Sequence, residues 1–563
     1  MVYATSRSKI YPHYVFTPGR KPRNFSAKRK LKTVCHINTT DVKKTAQEYA
    51  QNSSLHGLRY LGSKDLHVVE RLFWIISFII AASTSGYFIK DLLTKWFETP
   101  VIMSLSPKST SLTEIPFPAI TICNMNNARK SVAEAINLNG STIEKILLKD
   151  FCEEDTILGN IIEDNASSSW PVVQKFMLKV SQPCHKMILS CTWHGEHQNC
   201  YEIFNAALTD EGMCCTFNRV KNELIFRNPS HSSDLNATFP FTSIDWTPEK
   251  GYDEDTPLNH VPWRPWGAGS HLGLTIILNA ELDEYYCSSE ASHGFKVTLH
   301  NPVETPKITA FGTLISPGWE TQIKIKPTLH ISTVQLKSID QEKRQCYFSD
   351  ERMLRFYRTY TQRNCIMECE SNFTLHFCQC VMYYMPKDTS TRICGKKDIL
   401  CANRAKLTME TKLGDNYALN ESVWHESGQK PTCGCLPACC SIAYDKIQSS
   451  SELSTHFKVR HEYVLGRDPS YFRKNMAVVH FFFTEAQFTS IIKGELFGTT
   501  ELLSGAGGLL GLFMGFSFLS VFEALYFLTL RLWCSIRRRK NTQNVKNEVL
   551  RIIQPRVTYP FLN

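Results

Sequence analysis

Glu523 is the one charged residue in an apolar run from Leu502 to Leu530 that is otherwise rich in glycine and serine. A carboxylate at membrane depth is costly unless it faces water or the interior of a bundle, so the run reads as the wall of an ion path. Ser504, Gly508, Gly511 and Gly515 recur at helical spacing and place small side chains on one face. Such a stripe has two meanings, close packing between membrane helices or a water-lined wall, and physics alone favours packing. Ser517, Ser520 and Ala524 form a second stripe, shifted in phase across Gly515-Phe516-Ser517. A phase shift at that place predicts an interrupted helix with backbone carbonyls free to face ions.

An ion path needs a membrane, and one other run is long enough to cross one. Leu72 to Ile89 holds 18 residues without a charge between Arg71 and Lys90, whose long side chains reach headgroups. It starts too far from Met1 for a cleaved signal peptide. The arm Met1 to Glu70 carries 13 Lys or Arg against 4 acids, and the tail opens with Arg531, Arg537, Arg538, Arg539 and Lys540. Basic flanks put both ends in the cytosol. The expected order is a cytosolic arm over 1–70, a first span over 71–90, an extracellular domain over 91–500, a second span over 501–531 and a cytosolic tail over 532–563.

The extracellular assignment has independent support. Of the 21 cysteines, 19 fall between Asp91 and Thr500, as do sequons at Asn139, Asn165, Asn236, Asn372 and Asn420. The tripeptides at Asn24, Asn38 and Asn52 fit the same pattern on the cytosolic side and are read as chance. Cys346, Cys365, Cys369, Cys378, Cys380, Cys394, Cys401, Cys433, Cys435, Cys439 and Cys440 crowd one stretch. Their spacing also suits zinc, but an oxidising compartment favours a disulfide ladder, so no metal is expected. Strands are expected at Ala119 to Cys123, Phe295 to Leu299, Lys307 to Leu314, Lys458 to Leu465 and Ala477 to Phe483, and a helix over Asp350 to Glu370. The fold class is therefore a two-span membrane protein with a large disulfide-rich α+β ectodomain. No nucleophile elbow, metal motif or phosphate loop is present, so no enzyme activity, cofactor or nucleic acid partner is expected.

Landmarks in order carry a family resemblance over roughly residues 50 to 531: Leu55-His56-Gly57, then Phe117-Pro118-Ala119-Ile120-Thr121-Ile122-Cys123-Asn124, then Cys214-Cys215-Thr216-Phe217-Asn218. Asp283-Glu284-Tyr285 leading to Gly294-Phe295-Lys296-Val297, the cysteine ladder, and Gly507-Gly508-Leu509-Leu510-Gly511-Leu512-Phe513-Met514-Gly515-Phe516-Ser517 complete them. The chain resembles the degenerin/epithelial sodium channel superfamily, which includes the acid-sensing channels. Asp245-Trp246-Thr247-Pro248-Glu249-Lys250-Gly251-Tyr252 tilts the likeness toward its arthropod pickpocket branch.

That resemblance implies a trimer of identical or related subunits in the plasma membrane, conducting sodium and blocked by amiloride. It implies Gly515, Phe516 and Ser517 as selectivity filter, Glu523 as an inner acidic ring, and Ser504, Gly508 and Gly511 lining the pore. Ser504 and the pair His56-Gly57 take gating roles, and Gly511 the amiloride position. Phe516 replaces the small residue usual in the motif, and must point away from a narrow axis. The implied disulfides are Cys123–Cys214, Cys191–Cys200, Cys346–Cys439, Cys365–Cys435, Cys369–Cys433, Cys378–Cys401 and Cys380–Cys394. Cys152, Cys184, Cys215, Cys287 and Cys440 remain, room for at most two more bridges and a free or interchain thiol.

The stimulus is not legible. Asp253-Glu254-Asp255 offers clustered carboxylates for protons or divalent cations, although such runs are more often simply solvated. Where acid-sensing relatives carry a coupling Trp, this chain has Arg344-Gln345. An ATP-gated trimeric channel shares two spans, internal termini and a cysteine-rich exterior, and a non-conducting receptor or regulatory subunit is a further alternative. The glycine-rich second span and the Phe117 to Asn124 entry favour the first reading.

Overall fold

The computed structural model describes residues 39–63, 66–152, 169–229, 240–410, 433–454 and 468–535, with four positions between 537 and 545. Two compact units result, one from Leu93 to Leu502 and one made of the segments that flank it.

In the first unit an eight-stranded sheet is built around one long strand, Trp319–Ser332. One edge of that strand pairs along its length with Ser441–Glu452, antiparallel. Its other edge is shared between two parallel partners, Met476–Phe483 near the start and Gln487–Glu495 near the end. Gln487–Glu495 in turn pairs with Val101–Ser111, antiparallel, with a bulge between Leu105 and Ser109. So the strand that follows the first span and the strand that precedes the second are hydrogen-bonded to each other. Beyond Met476–Phe483 the sheet continues through Leu274–Asn279 and Ile188–Trp193 to the short Glu196–Gln198.

A second sheet of five strands runs Thr313–Ile315, Phe295–His300, Ala119–Asn124, Gly212–Phe217, Phe204–Thr209. Ala119–Asn124 is buried at every position, which explains an apolar run in place of strict alternation. Phe117 just ahead of it is fully buried and meets Trp193 at 4.8 Å and Phe483 at 5.4 Å, both edge-on.

Two sequence expectations are corrected. The helix expected over Asp350 to Glu370 is Gln362–Cys378, because the Thr361 side chain accepts from the Asn364 N–H and starts it there. Upstream, Glu368 instead accepts from the backbone N–H groups of Arg355 and Phe356, at 2.9 Å each, and holds that stretch out of helix. The strand expected over Lys307 to Leu314 is a single helical turn, Ile308–Phe311, followed by Thr313–Ile315. The Asp210 carboxylate caps that turn by accepting from Ile308 N–H at 2.8 Å and Thr309 N–H at 3.0 Å, a contact far away in sequence. Lys458 to Leu465 lies outside the described residues.

The seven bridges implied above are all bonded in the structure. Two further bridges, Cys152–Cys287 and Cys184–Cys215, leave Cys440 as a thiol. Helix Gln362–Cys378 thereby carries three of the ladder's rungs, through Cys365, Cys369 and Cys378. Peptide mapping without reduction should return both additional bridges, with alkylation of the denatured chain labelling Cys440. A Cys378–Cys380 bridge would overturn the ladder. Asn139 and Asn372 are exposed, as a glycan requires, and Asn165, Asn236 and Asn420 lie outside the described residues.

Candidate functional site

The first long helix runs Val68–Glu98, beginning before Arg71 and continuing past Lys90. Nothing in Asp91 to Glu98 breaks a helix, and Thr99-Pro100 does. The second apolar run is not one helix. It consists of Thr499–Met514, a non-helical break at Gly515-Phe516-Ser517, then Phe518–Leu525 running into a π-helical stretch, Tyr526–Arg531, and the part long and apolar enough to cross a membrane is Phe518–Ser535.

The break is written by two local signals. Gly515 sits at φ 65°, the left-handed region that glycine enters at no steric cost, and ends the first segment. Ser517 starts the next with a reciprocal cap: its hydroxyl accepts from Ser520 N–H at 3.3 Å, and the Ser520 hydroxyl accepts from Ser517 N–H at 3.1 Å.

Above the break the small residues divide in two. Gly505 packs, because a Cβ there would lie 3.2 Å from Leu92. At Gly508 a Cβ would meet nothing within 4 Å, and Ser504 beside it is exposed. Within one chain, then, Gly505 serves close packing and the Ser504/Gly508 face is left open. Gly511 is half-buried near the Phe516 carbonyl, and Phe516 itself is half-buried.

Below the break the N-terminal segment folds back as a strap. The His56 N–H donates to the Met514 carbonyl at 2.9 Å, one of the acceptors freed where the helix ends. The His56 ring lies directly against Gly515, where a Cβ would fall 2.5 Å from Nδ1. Gly57, at φ 85°, turns the chain toward the first helix, and Tyr60 stacks on Trp74 at 4.2 Å. Ser54 donates from its backbone N–H at 3.1 Å and its hydroxyl at 2.9 Å to one Glu523 oxygen, and its hydroxyl also meets that of Ser520 at 2.8 Å. Further down, Arg531 pairs with Glu48 at 3.2 Å and Tyr49 lies 5.5 Å from Phe527.

Sequence reasoning singled out His56, Gly57, Gly515, Ser517 and Glu523 separately, and the structure brings them together. It missed Ser54, Ser520 as a strap contact, and the Glu48–Arg531 pair. No spacing rule connects positions so far apart, although a serine pair before His-Gly was visible.

In the first unit, Arg344 is 2% exposed, pairs with Glu351 and lies over the Phe348 ring at 5.1 Å. Its carbonyl accepts from Lys493 Nζ at 2.5 Å, and the neighbouring Lys343 ammonium sits 5.8 Å over Phe97, at the end of the long helix. A cation over an aromatic ring therefore stands near the place where the missing Trp was noted. Asp253, Glu254 and Asp255 are all exposed.

A family model described as amiloride-sensitive sodium channel matches residues 49–527. The chain belongs to the amiloride-sensitive sodium channel family. Pickpocket protein 28 of Drosophila melanogaster is 35% identical over 534 residues, covering 93% of this chain and 84% of the relative. Sodium channel protein Nach of Drosophila melanogaster is 24% identical over 507 residues, covering 87% of each. Acid-sensing ion channel 4-B of Danio rerio is 24% identical over 489 residues, covering 85% of this chain and 75% of the relative. Family membership makes the chain a membrane-embedded sodium channel subunit and not an enzyme, with the two spans and β-rich, disulfide-rich exterior described above.

Proposed function

We propose that three copies, identical or related, surround a sodium-permeable pore that amiloride blocks, in a plasma membrane with both termini cytosolic. The observation that carries this reading is the break at Gly515 to Ser517, set between an open small-residue face and a carboxylate. Gly515, Phe516 and Ser517 form the filter, with the Phe516 ring turned away from the axis so that backbone oxygens meet the ion. Glu523 supplies a ring of carboxylates that concentrates cations and repels anions. Ser504, Gly508 and Gly511 line the outer half, and Gly511 takes amiloride. The His56-Gly57 strap moves with the filter during gating by an extracellular or mechanical stimulus.

Expression alone and beside related subunits, with amiloride-blockable current read before and after bath sodium is replaced by a large organic cation, tests the filter. Inward current carried by the organic cation would overturn it. Ser504→Trp fills the open face and should give standing current without any stimulus. Its absence in a channel that reaches the surface and conducts otherwise would count against Ser504 as a gating position.

A further inference from the structure

His194 and Gly195 form the two-residue turn between strands Ile188–Trp193 and Glu196–Gln198, both at positive φ, 56° and 78°. Such turns match the twist of the paired strands, but only glycine adopts them freely, so His194 is held in place by its surroundings. Its ring is sandwiched between Trp193 at 3.9 Å and Trp266 at 4.2 Å, and it bonds to the backbone of Arg264. Burial pushes its pKa down to about 4, so the imidazole is neutral at pH 7. Nε2 is buried and has no hydrogen-bond partner among the described residues. With the other nitrogen donating to a carbonyl, Nε2 is an unused acceptor.

This ring forms part of the wall of a cavity of about 220 Å³ whose other aromatic walls are Trp193, Trp263, Trp266 and Phe241. Glu196 is the lone carboxylate in the lining, and no Lys or Arg lines it. Trp266 is 53% exposed, a large apolar surface left facing water. The loop that supplies Trp263 and Trp266 is pinned rather than loose. The Arg264 guanidinium bonds to the Thr256 carbonyl and lies 4.7 Å over Tyr252, whose hydroxyl donates to the Pro262 carbonyl at 2.7 Å. Trp263 Nε1 donates to the Asn259 carbonyl at 3.2 Å. A pinned wall lowers the ordering cost of binding.

The geometry points to a binding site for a small aromatic ammonium ion. Indole faces attract cations, and a lone carboxylate without a base complements positive charge. An anion meets no Lys or Arg in this lining. The volume falls below the ~300 Å³ at which drug-sized sites begin, which restricts the ligand to a compact amine.

Isothermal titration calorimetry on the full chain in lipid nanodiscs, with phenethylammonium as probe, tests the site without requiring current, so its outcome is separate from whether the chain conducts. Saturable binding is expected, with phenylacetate inert and 2-phenylethanol weaker by about tenfold or more, since it lacks the charge. Trp266→Ala and Glu196→Gln change exposed side chains and should weaken binding by about tenfold and about fivefold, at unchanged elution in size exclusion. No saturable heat below about 10 mM would overturn the site. So would equal binding of phenylacetate, or unchanged affinity in Trp266→Ala.

Discussion

Gly515→Ala should cut sodium current by at least about tenfold at unchanged surface level, because alanine is disfavoured twice at this position. At φ 65° a side chain costs about 1–2 kcal/mol in the left-handed region, and this backbone angle is what ends the first segment of the second span. The added Cβ would also fall 2.5 Å from Nδ1 and 2.7 Å from Cγ of His56, closer than unbonded atoms approach. His56 cannot retreat freely, since its own N–H is bonded to Met514. A double-mutant cycle separates the two causes. His56→Ala removes the clash and leaves the backbone cost, so Gly515→Ala should be less damaging in the His56→Ala background than in the wild type. Whole-cell current normalised to surface biotinylation, read on the Ser504→Trp background, makes the comparison without knowledge of the stimulus. Wild-type current in Gly515→Ala would remove the strap-and-glycine contact from the gating account.

The elements legible in the sequence were those whose cause is local. The break in the helix was signalled by the phase shift together with the Gly-x-Ser motif of the resemblance, and Gly515 and Ser517 supply the local capping chemistry that makes it. The strands Ala119–Asn124, Phe295–His300 and Met476–Phe483 declared themselves through β-branched and aromatic residues. Where a distant partner decides, local reading failed. Asp210 turns Ile308–Phe311 into helix, and Glu368 unwinds the stretch ahead of Thr361. The same holds in the candidate site, where Ser54 joins Glu523 only through the folded strap. The stripe of small residues was ambiguous for a different reason. Within the chain Gly508 of that stripe meets no neighbour, while close packing falls to Gly505, which lies off the stripe and against Leu92.

Glu523→Gln should lower unitary inward sodium conductance by about two- to fivefold while leaving channels able to open. A carboxylate facing a water-filled path contributes about 1 kcal/mol per neighbouring cation at 4 Å in bulk water, enough to change local sodium severalfold. Glutamine keeps an oxygen that can accept from the Ser54 N–H and hydroxyl, so the strap stays bound and only the charge is lost. Ser54→Ala makes the complementary change: the charge remains, but the hydroxyl bonds to Glu523 and Ser520 are removed. Its expected signature is altered open probability at unchanged unitary conductance. Because exposed charge is screened by salt, the conductance gap between Glu523→Gln and wild type should narrow as bath sodium rises from about 0.01 M, where the Debye length is about 30 Å, toward 1 M, where it is about 3 Å. Single-channel recording across that range decides between the two roles open to Glu523. A conductance gap that does not depend on salt, or no gap, would mean that Glu523 anchors the strap and contributes nothing to the ion path.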